Sequence, residues 1–356
     1  MLYVLLAAHL ALLGLTAVNL RYLHRRERDR KTPDAWPRVS VLVPARNEEE
    51  NLRRLLPSLL AQDYPDFQVV VVDDASEDDT AAVLAAHADP RLAVIAGEGP
   101  PPGWLGKPHA CHQAARRADG ALYLFLDADA EAAGPGALRR LVERFAACGP
   151  DAVLTGLPRY VDAGGGLLLT SMVPFALLSA LPIPLVPRAR QASLSGLNGQ
   201  VWMIEAEAYH RHEPHRARAG SVLEDVEIGR LLKRAGMRIH LRDLGGEVRV
   251  EMYRSFGEAW RGFRKNAYLI LGGTPWTFLP LLALYVALFV LPFAVGWPPW
   301  VTLYALKGMV DGRMRLPVWV TALTPLALLC GAFIALDSAV AHGTGRVAWK
   351  GRRVGS

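Results

Sequence analysis

Two aspartates follow an apolar run near the middle of the chain. The run at 122–126 contains only Leu, Tyr and Phe, and Asp127 and Asp129 come soon after it. Side chains two residues apart on a strand project from the same face, so this pattern predicts two carboxylates side by side at a strand end. A like-charge pair is costly unless a cation lies between the two groups. Oxygen ligands favour hard ions, so we expect Mg²⁺ or Mn²⁺ at these aspartates, with solvated side chains as the alternative.

Polar residues also end two earlier apolar runs. Pro44, Arg46 and Glu48 follow the first run, and Asp73 and Asp74 follow the second. Ligands of an α/β fold bind at the carboxyl ends of its strands. Neither segment has the Gly-rich dinucleotide fingerprint or a phosphate loop, so we expect carboxylates to hold the base and ribose of a nucleotide. The alternative for the two aspartates is a helix N-cap or a turn.

Two further segments offer a cation and a proton acceptor. Lys107 lies in a glycine-flanked loop at 103–108, from which it would offset phosphate charge. Glu224 and Asp225 open a predicted helix that ends near Gly236. A carboxylate there would act as general base on an acceptor hydroxyl. The alternative is structural, because acidic residues in a first turn stabilise the helix dipole.

The segment 38–270 is predicted to be the catalytic domain. Within it, apolar runs at 38–44, 68–72, 92–96 and 121–126 alternate with segments of helical spacing at 52–60, 81–87 and 108–118. Continuous apolar strands that alternate with helices predict an α/β fold with a mostly parallel sheet, covered on both faces.

The termini are apolar and are predicted to cross a membrane. The chain of 356 residues is 51% hydrophobic, and the segments 2–20, 276–297 and 316–336 contain no Asp, Glu, Lys or Arg. Each is close to the roughly 20 residues that cross a bilayer. We expect a transmembrane helix at 1–21, a basic linker at 22–37 and two or three transmembrane helices at 275–340. An external loop is expected at 298–315, and a short fourth span at 300–310 is the alternative.

Basic clusters next to these segments predict the orientation. Six Arg or Lys residues follow the first segment between 21 and 31, and the tail at 341–356 is also basic. Such flanks stay in the cytoplasm, so we expect a multi-pass protein of the cell membrane with a cytoplasmic catalytic domain. The same clusters account for most of the net charge of +6, which favours anionic lipid and not nucleic acid as the partner.

Two other patterns allow more than one interpretation. The uncharged segment 167–187 contains four prolines, which favour an interfacial hairpin that receives a lipid over a plain span, with a buried core helix as the alternative. His210, His212 and His215 suggest a metal cluster, but the arginines and glutamates among them predict an exposed loop instead.

Together these segments resemble family 2 glycosyltransferases of the GT-A fold. The segment 41–48 is similar to the first strand and nucleotide loop of that family, and Asp73 and Asp74 to its base-binding segment. Asp127 and Asp129 resemble its metal motif, and Glu224 and Asp225 its acidic pair. The resemblance implies inverting, metal-dependent transfer from a nucleotide sugar such as a UDP-sugar. It also implies that Asp225 is the catalytic base.

Other segments resemble a membrane-bound branch of the family. This branch includes hopanoid-associated glycosyltransferases and those that glycosylate carotenoid acids such as diaponeurosporenoate. The similar segments are 103–107, 198–200, 260–266 and 347–352. Arg261 and Arg264 have the Arg-x-x-Arg spacing of processive synthases, without the Trp that follows it there. They are expected to clamp the phosphates of the donor, or else to contact lipid headgroups.

The resulting hypothesis is the transfer of a single sugar to a hydroxyl or carboxyl of a membrane lipid such as a carotenoid or hopanoid. A polyprenyl-phosphate sugar synthase and a polysaccharide glycosyltransferase are the alternative enzymes. A degenerate nucleotide-sugar-binding scaffold is the alternative without catalysis. The expected partners are the nucleotide sugar, the lipid acceptor and the membrane.

Overall fold

The computed structural model describes residues 2–97, 99–349 and 352–353, which divide into two compact units. The apolar unit takes its residues from 1–24, 160–183 and 251–356. The sheet unit takes its residues from 25–159 and 184–250. Residues 350, 351 and 354–356 of the predicted basic tail lie outside the described part of the chain.

A seven-stranded sheet forms the centre of the sheet unit. Its strands are β1 (Val39–Ala45), β2 (Phe67–Asp73), β3 (Leu92–Ala96), β4 (Leu122–Leu126), β6 (Ala152–Leu157), β8 (Val201–Glu205) and β9 (Arg238–Asp243). Their order is β3-β2-β1-β4-β8-β6-β9. Only β8 runs antiparallel to its neighbours β4 and β6 in the register of the described strands. The predicted α/β fold with a mostly parallel sheet is confirmed.

The register brings the ends of three strands to one edge of the sheet. Ala45 at the end of β1 pairs with Asp73 at the end of β2. Leu42 of β1 pairs with Phe125 of β4, close to the end of that strand. Because these three strands are parallel, the residues that follow them leave the sheet at the same edge.

Helices cover this sheet because their apolar residues recur on one side. They are α2 (Glu49–Leu60), α3 (Thr80–Ala85), α4 (Gly106–Arg117), α5 (Ala137–Ala146), α8 (Ala206–His212), α9 (Pro214–Ala217) and α10 (Glu224–Arg234), with a 3₁₀ turn at Ala192–Leu194. In α2 the leucines at 52, 55, 56 and 59 are buried, as their helical spacing predicts.

A second, smaller pairing joins β5 (Ala130–Ala132) to β10 (Val248–Val250), and β7 (Arg159–Tyr160) lies where the chain passes between units. A buried ion pair lies just before β10. Glu247 Oε1 is 3.1 Å from Arg144 Nε, and the two side chains are 1% and 4% exposed. Arg30 and Arg140 contact the same oxygen at 3.4 and 3.6 Å. These arginines offset the cost of burying the Glu247 carboxylate.

The apolar unit is mainly helical. Its helices are α1 (Leu2–Arg26), α6 (Gly166–Thr170), α7 (Met172–Ala180), α11 (Phe256–Ile270), α12 (Pro275–Tyr285), α13 (Pro292–Val295), α14 (Trp297–Arg313), α15 (Val318–Ala322) and α16 (Thr324–Gly343). A 3₁₀ turn at Ile183–Leu185, a π-helix at Val286–Val290 and the paired strands β11 (Ala348–Trp349) and β12 (Arg352–Arg353) complete the described elements. Among these, α1 and α16 are long and apolar enough to cross a membrane.

The segment 275–315 differs from the predicted span and external loop. Helix α12, the π-helix and α13 follow one another with breaks, and α11 and the α12 segment form a pair bent by 113°. The expected loop at 298–315 is wrong, because α14 occupies most of it. Lys307 Nζ and Asp311 Oδ1 of α14 lie 2.5 Å apart, and both side chains are buried, so this lysine is paired within the unit.

The segment 167–187 forms two helices that α1 holds in place. Leu168, Phe175 and Ile183 of this segment are buried. Asn19 of α1 donates hydrogen bonds to the carbonyl oxygens of Leu178 and Leu181, both at 2.8 Å. Its own side-chain oxygen accepts one from the backbone of Ile183 at 2.9 Å. One amide thus satisfies the backbone groups at the end of α7. The interfacial role of this segment stays a prediction.

The ion pair of Glu247 and Arg144 gives a stability prediction. Glu247→Ala leaves the Arg144 guanidinium buried without its carboxylate, so we expect the free energy of unfolding to fall by about 3–5 kcal/mol. Glu207→Ala is the matched control, because its pair with Arg211 is exposed on both sides. That change should cost about 1 kcal/mol or less. Urea unfolding of the detergent-solubilised chain measures both, and equal losses would contradict the prediction.

Candidate active site

Asp127 and Asp129 lie beyond the end of β4, and not on the strand itself. The strand ends at Leu126, and Asp129 belongs to the turn that leads into β5. The prediction that both aspartates lie on the strand is therefore wrong, and their side-by-side placement stays a prediction. The backbone N–H of Asp127 donates to the carbonyl oxygen of Gln200 at 3.1 Å, which fixes the first residue after the strand.

Lys107 connects the end of β4 with the start of α10. It lies in the first turn of α4, and its Nζ is 2.8 Å from Asp127 Oδ1 and 2.9 Å from Asp127 Oδ2. The same Nζ lies 3.2 Å from Glu224 Oε1. Burial alone would lower the pKa of Lys107, but the carboxylates of Asp127 and Glu224 outweigh it and hold that pKa well above its usual range. The ammonium is therefore charged.

Asp225 lies in the first turn of α10, beside a glycine. Its Oδ2 accepts a hydrogen bond from the backbone N–H of Gly199 at 3.2 Å, and its Oδ1 accepts one from its neighbour Val226 at 2.8 Å. A Cβ on Gly199 would lie 3.0 Å from the Asp225 Cβ. Only glycine at position 199 lets the backbone approach this carboxylate without displacement.

The surroundings of Asp225 make it a stronger base than a solvated aspartate. Burial raises the pKa of Asp225 to about 6, and the negative charge of Glu224 acts in the same direction. The positive charge of Lys107 and the N–H donors of Val226 and Gly199 lower that pKa in part. Asp225 is thus ionised at neutral pH yet takes up a proton more readily than an ordinary aspartate.

Aromatic side chains also line the cavity that contains Lys107 and Asp225. Phe125, Trp202 and His215 line the same cavity as Lys107 and Asp225. The rings of Phe125 and Trp202 stack at 4.3 Å, and His215 packs 4.8 Å from Phe125. The sequence motifs missed Phe125 and Trp202, and they suggested His215 only as a metal ligand. Phe125 was accessible to prediction, because it lies two residues before Asp127 at the end of the strand.

The histidine segment is helical, which corrects the expected exposed loop. His210 and His212 lie on α8, and His215 lies on α9, where it is 2% exposed. His215 Nδ1 is 2.9 Å from the Tyr209 hydroxyl. Burial, with a smaller effect of the Lys107 charge, lowers the pKa of His215 to about 3, so the ring is neutral. No metal cluster forms from these histidines in the part of the chain that the structure describes.

The loops that follow β1 and β2 contact each other through hydrogen bonds. The Arg46 guanidinium donates to the carbonyl oxygens of Asp74 and Ala75 and pairs with Glu77 at 2.8 Å. Asp73 Oδ1 accepts a hydrogen bond from the backbone of Ser76 at 3.1 Å, which makes it a turn residue. The contacts of Arg46 hold the loop after β1 against the loop after β2.

The other predicted nucleotide-binding residues lie nearby or in the other unit. Pro44 lines the cavity with Lys107, and Glu48 accepts a hydrogen bond from Asn51 at 2.6 Å. Arg261 and Arg264 lie on α11 of the apolar unit, and Arg264 is 3.8 Å from Asp337. The roles of these residues in donor binding stay predictions.

The carboxylate oxygens of this site fit a divalent ion only when a substrate supplies further ligands. Over residues 2–97, 99–349 and 352–353, no three or more His, Cys, Asp or Glu side chains come together as a metal site. Asp127 and Asp129 supply carboxylate oxygens, and Mg²⁺ is commonly bound by one or two carboxylates plus substrate phosphates. The two aspartates are therefore compatible with an ion that a diphosphate helps to hold.

A family model and two relatives match this chain. Residues 40–212 match the model of glycosyl transferase family 2. A 4,4'-diaponeurosporenoate glycosyltransferase of Staphylococcus haemolyticus is 25% identical over 245 residues, which are 68% of this chain and 64% of that protein. The protein of the same name from Staphylococcus aureus strain MRSA252 is 25% identical over 66% of this chain and 62% of its own length. The match thus spans less than two thirds of either relative.

A solved structure has the same fold. The mannosyltransferase PcManGT from Pyrobaculum calidifontis, in complex with GDP-Man and Mn²⁺, aligns with a TM-score of 0.53 and 22% sequence identity. The alignment covers 93% of this chain and 99% of that one. With the family match, this similarity confirms the predicted glycosyltransferase fold.

The contact between Gly199 and Asp225 gives a prediction about this site. Gly199→Ala puts a Cβ 3.0 Å from the Asp225 Cβ, so the neighbouring backbone must move. We expect the free energy of unfolding to fall by about 1–3 kcal/mol, as for overpacked sites. Gly246→Ala is the control, because a Cβ there meets nothing within 4 Å. Urea unfolding compares the two variants, and a Gly199 variant as stable as the control would refute this packing argument.

Proposed function

We propose that this chain, whose residues 40–212 belong to glycosyl transferase family 2, transfers one sugar from a nucleotide sugar to a membrane lipid. The donor is a UDP-sugar, and the transfer inverts the anomeric carbon. The acceptor group is a hydroxyl or carboxyl of a lipid such as a carotenoid or hopanoid. The carotenoid acceptor is supported by the name of the two relatives described above.

One observation carries this proposal. A proton acceptor, Asp225, and a cation, Lys107, line the same cavity at the edge of a glycosyltransferase-like sheet. Sugar transfer to a hydroxyl needs a base for the acceptor and positive charge for the departing diphosphate. A protein that only binds a nucleotide sugar has no need of a base with a raised pKa.

The chemistry follows from these two residues. The acceptor oxygen attacks the anomeric carbon while the bond from that carbon to the diphosphate breaks. The acceptor proton moves to the Asp225 carboxylate, which the N–H groups of Gly199 and Val226 hold in position. Lys107 offsets negative charge on the diphosphate. Asp127 and Asp129 would hold a Mg²⁺ or Mn²⁺ ion, which neutralises the leaving group when bound.

The apolar unit supports a location at the cell membrane. Two helices, α1 and α16, are long and apolar enough to span a bilayer. The basic residues after α1 favour a cytoplasmic position for the chain that follows, by the positive-inside rule. We therefore propose a multi-pass protein whose sheet unit faces the cytoplasm, where nucleotide sugars are made.

A transfer assay with an isosteric variant tests the function. Membranes that carry the protein are incubated with radiolabelled UDP-sugars and Mg²⁺ or Mn²⁺, and label is counted in the lipid extract. For a hydroxyl acceptor, Asp225→Asn should reduce transfer about 100-fold or more, because the base is lost. Asp63→Asn, whose side chain is 81% exposed, is the control and should retain activity.

Each result of this assay has a defined meaning. Label that survives Asp225→Asn would indicate an acceptor that is already ionised, either a carboxylate or the phosphate of a polyprenyl chain. An absence of label with native lipids supplied would contradict the proposed function and favour a binding scaffold.

The charge of Glu224 gives a pH prediction for the same reaction. Because protonated Asp225 cannot accept a proton, kcat/KM should fall as the pH falls through about 6. Glu224 raises the pKa of Asp225, so Glu224→Gln should lower that pKa and move the fall in kcat/KM to lower pH. A pH profile of both proteins measures the shift. A fall that does not move, or moves to higher pH, would contradict the assigned interaction.

A further inference from the structure

Lys107 contacts the carboxylate that the donor site needs for its metal ion. Its Nζ lies within 2.9 Å of both oxygens of Asp127, and about a third of its side chain is exposed. An ammonium ion has three donors and no acceptor, so it can bind both oxygens of one carboxylate. The ammonium therefore neutralises much of the charge of this ligand, although each carboxylate oxygen keeps a second lone pair.

A divalent ion and Lys107 compete for this pair. A metal ion needs a lone pair of Asp127 directed at it, and two positive charges at one carboxylate repel each other. Repulsion between the two cations therefore favours withdrawal of Lys107 from Asp127 when the ion binds. Asp127 alone with Lys107 is thus a poor site for a free ion.

Two other features of the cavity receive the displaced ammonium. Glu224 Oε1 already lies 3.2 Å from Nζ, so a second carboxylate is within reach. Gly199 also borders the ammonium, because a Cβ at that position would lie in van der Waals contact with Nζ, at 3.4 Å. A diphosphate that enters with the ion supplies a further anionic partner for the ammonium.

We propose that Lys107 is a displaceable internal cation of the donor site. It neutralises Asp127 until a divalent ion takes over that carboxylate, and it then binds the diphosphate while Glu224 retains it in the cavity. The inference rests on the proposed function for its ligand, a nucleoside diphosphate. Its consequence is that ion and diphosphate each increase the affinity of the site for the other, since such coupling is reciprocal.

Metal binding without turnover tests the proposal. Mn²⁺ binding to the full chain in detergent is measured by electron paramagnetic resonance, with and without UDP. In the unaltered protein, UDP should strengthen Mn²⁺ binding about tenfold or more, within the usual range of coupling between sites. In Lys107→Met, Mn²⁺ alone should bind about tenfold more tightly than in the unaltered protein, and UDP should strengthen that binding less than it does in the unaltered protein.

Control variants separate displacement from a general structural role. Lys31→Met removes an exposed lysine elsewhere in the chain and should leave both affinities unchanged. Asp127→Asn should weaken Mn²⁺ binding with and without UDP. Glu224→Gln removes the second partner of Lys107, so Mn²⁺ alone should bind more weakly than in the unaltered protein.

The outcome that overturns the proposal is a Lys107→Met protein that binds Mn²⁺ no more tightly than the unaltered chain. A variant that merely damages the site would lose affinity, whereas displacement predicts a gain. If Lys107→Met does not fold, the Glu224→Gln variant tests the inference instead. Mn²⁺ binding to that variant that is as tight as, or tighter than, binding to the unaltered protein would refute the inference. The coupling between Mn²⁺ and UDP binding could depend on Lys107 in a protein that transfers no sugar. That result would reject the proposed function and retain this inference.

Discussion

The contact between the Lys107 ammonium and the surrounding carboxylates is the interaction on which the site depends. Asp127 directly follows the end of a strand, and Glu224 and Asp225 begin a helix much later in the sequence. Three acidic side chains in one cavity repel each other unless a cation and oriented N–H groups offset their charge. Lys107 contacts the first two, and the backbone of Gly199 binds the third. Both the geometry and the basicity of the site follow from this balance.

The sequence predicted the parts of this site that local patterns determine. Asp127 follows a continuous apolar strand, and Asp225 follows the start of an amphipathic helix, so each could be placed on its own element. The antiparallel strand β8 and the approach of Gly199 to Asp225 depend on contacts between distant segments, and no spacing encodes them. His215 shows the same limit. Its charged neighbours Arg211 and Arg216 are exposed, as expected, but the helical backbone turns the histidine inward.

In the apolar unit, composition located the helices better than it located their breaks. Uncharged segments predicted α1 and α16, because crossing a bilayer requires a long apolar helix. The orientation of the basic flanks, and not the charge of the segment itself, suggested an external loop where α14 lies. Lys307 and Asp311 are four residues apart, which is the spacing of a helical ion pair, and this spacing would have predicted the helix.

The basicity of Asp225 bears on the kind of acceptor. A hydroxyl must lose its proton as it attacks, whereas a carboxylate or phosphate is already ionised at neutral pH. Burial and Glu224 raise the pKa of Asp225, and this property assists only the first kind of acceptor. An ionised acceptor would also be repelled by the same carboxylates that give the site its base. The electrostatics of the cavity therefore favour a lipid hydroxyl over a lipid acid.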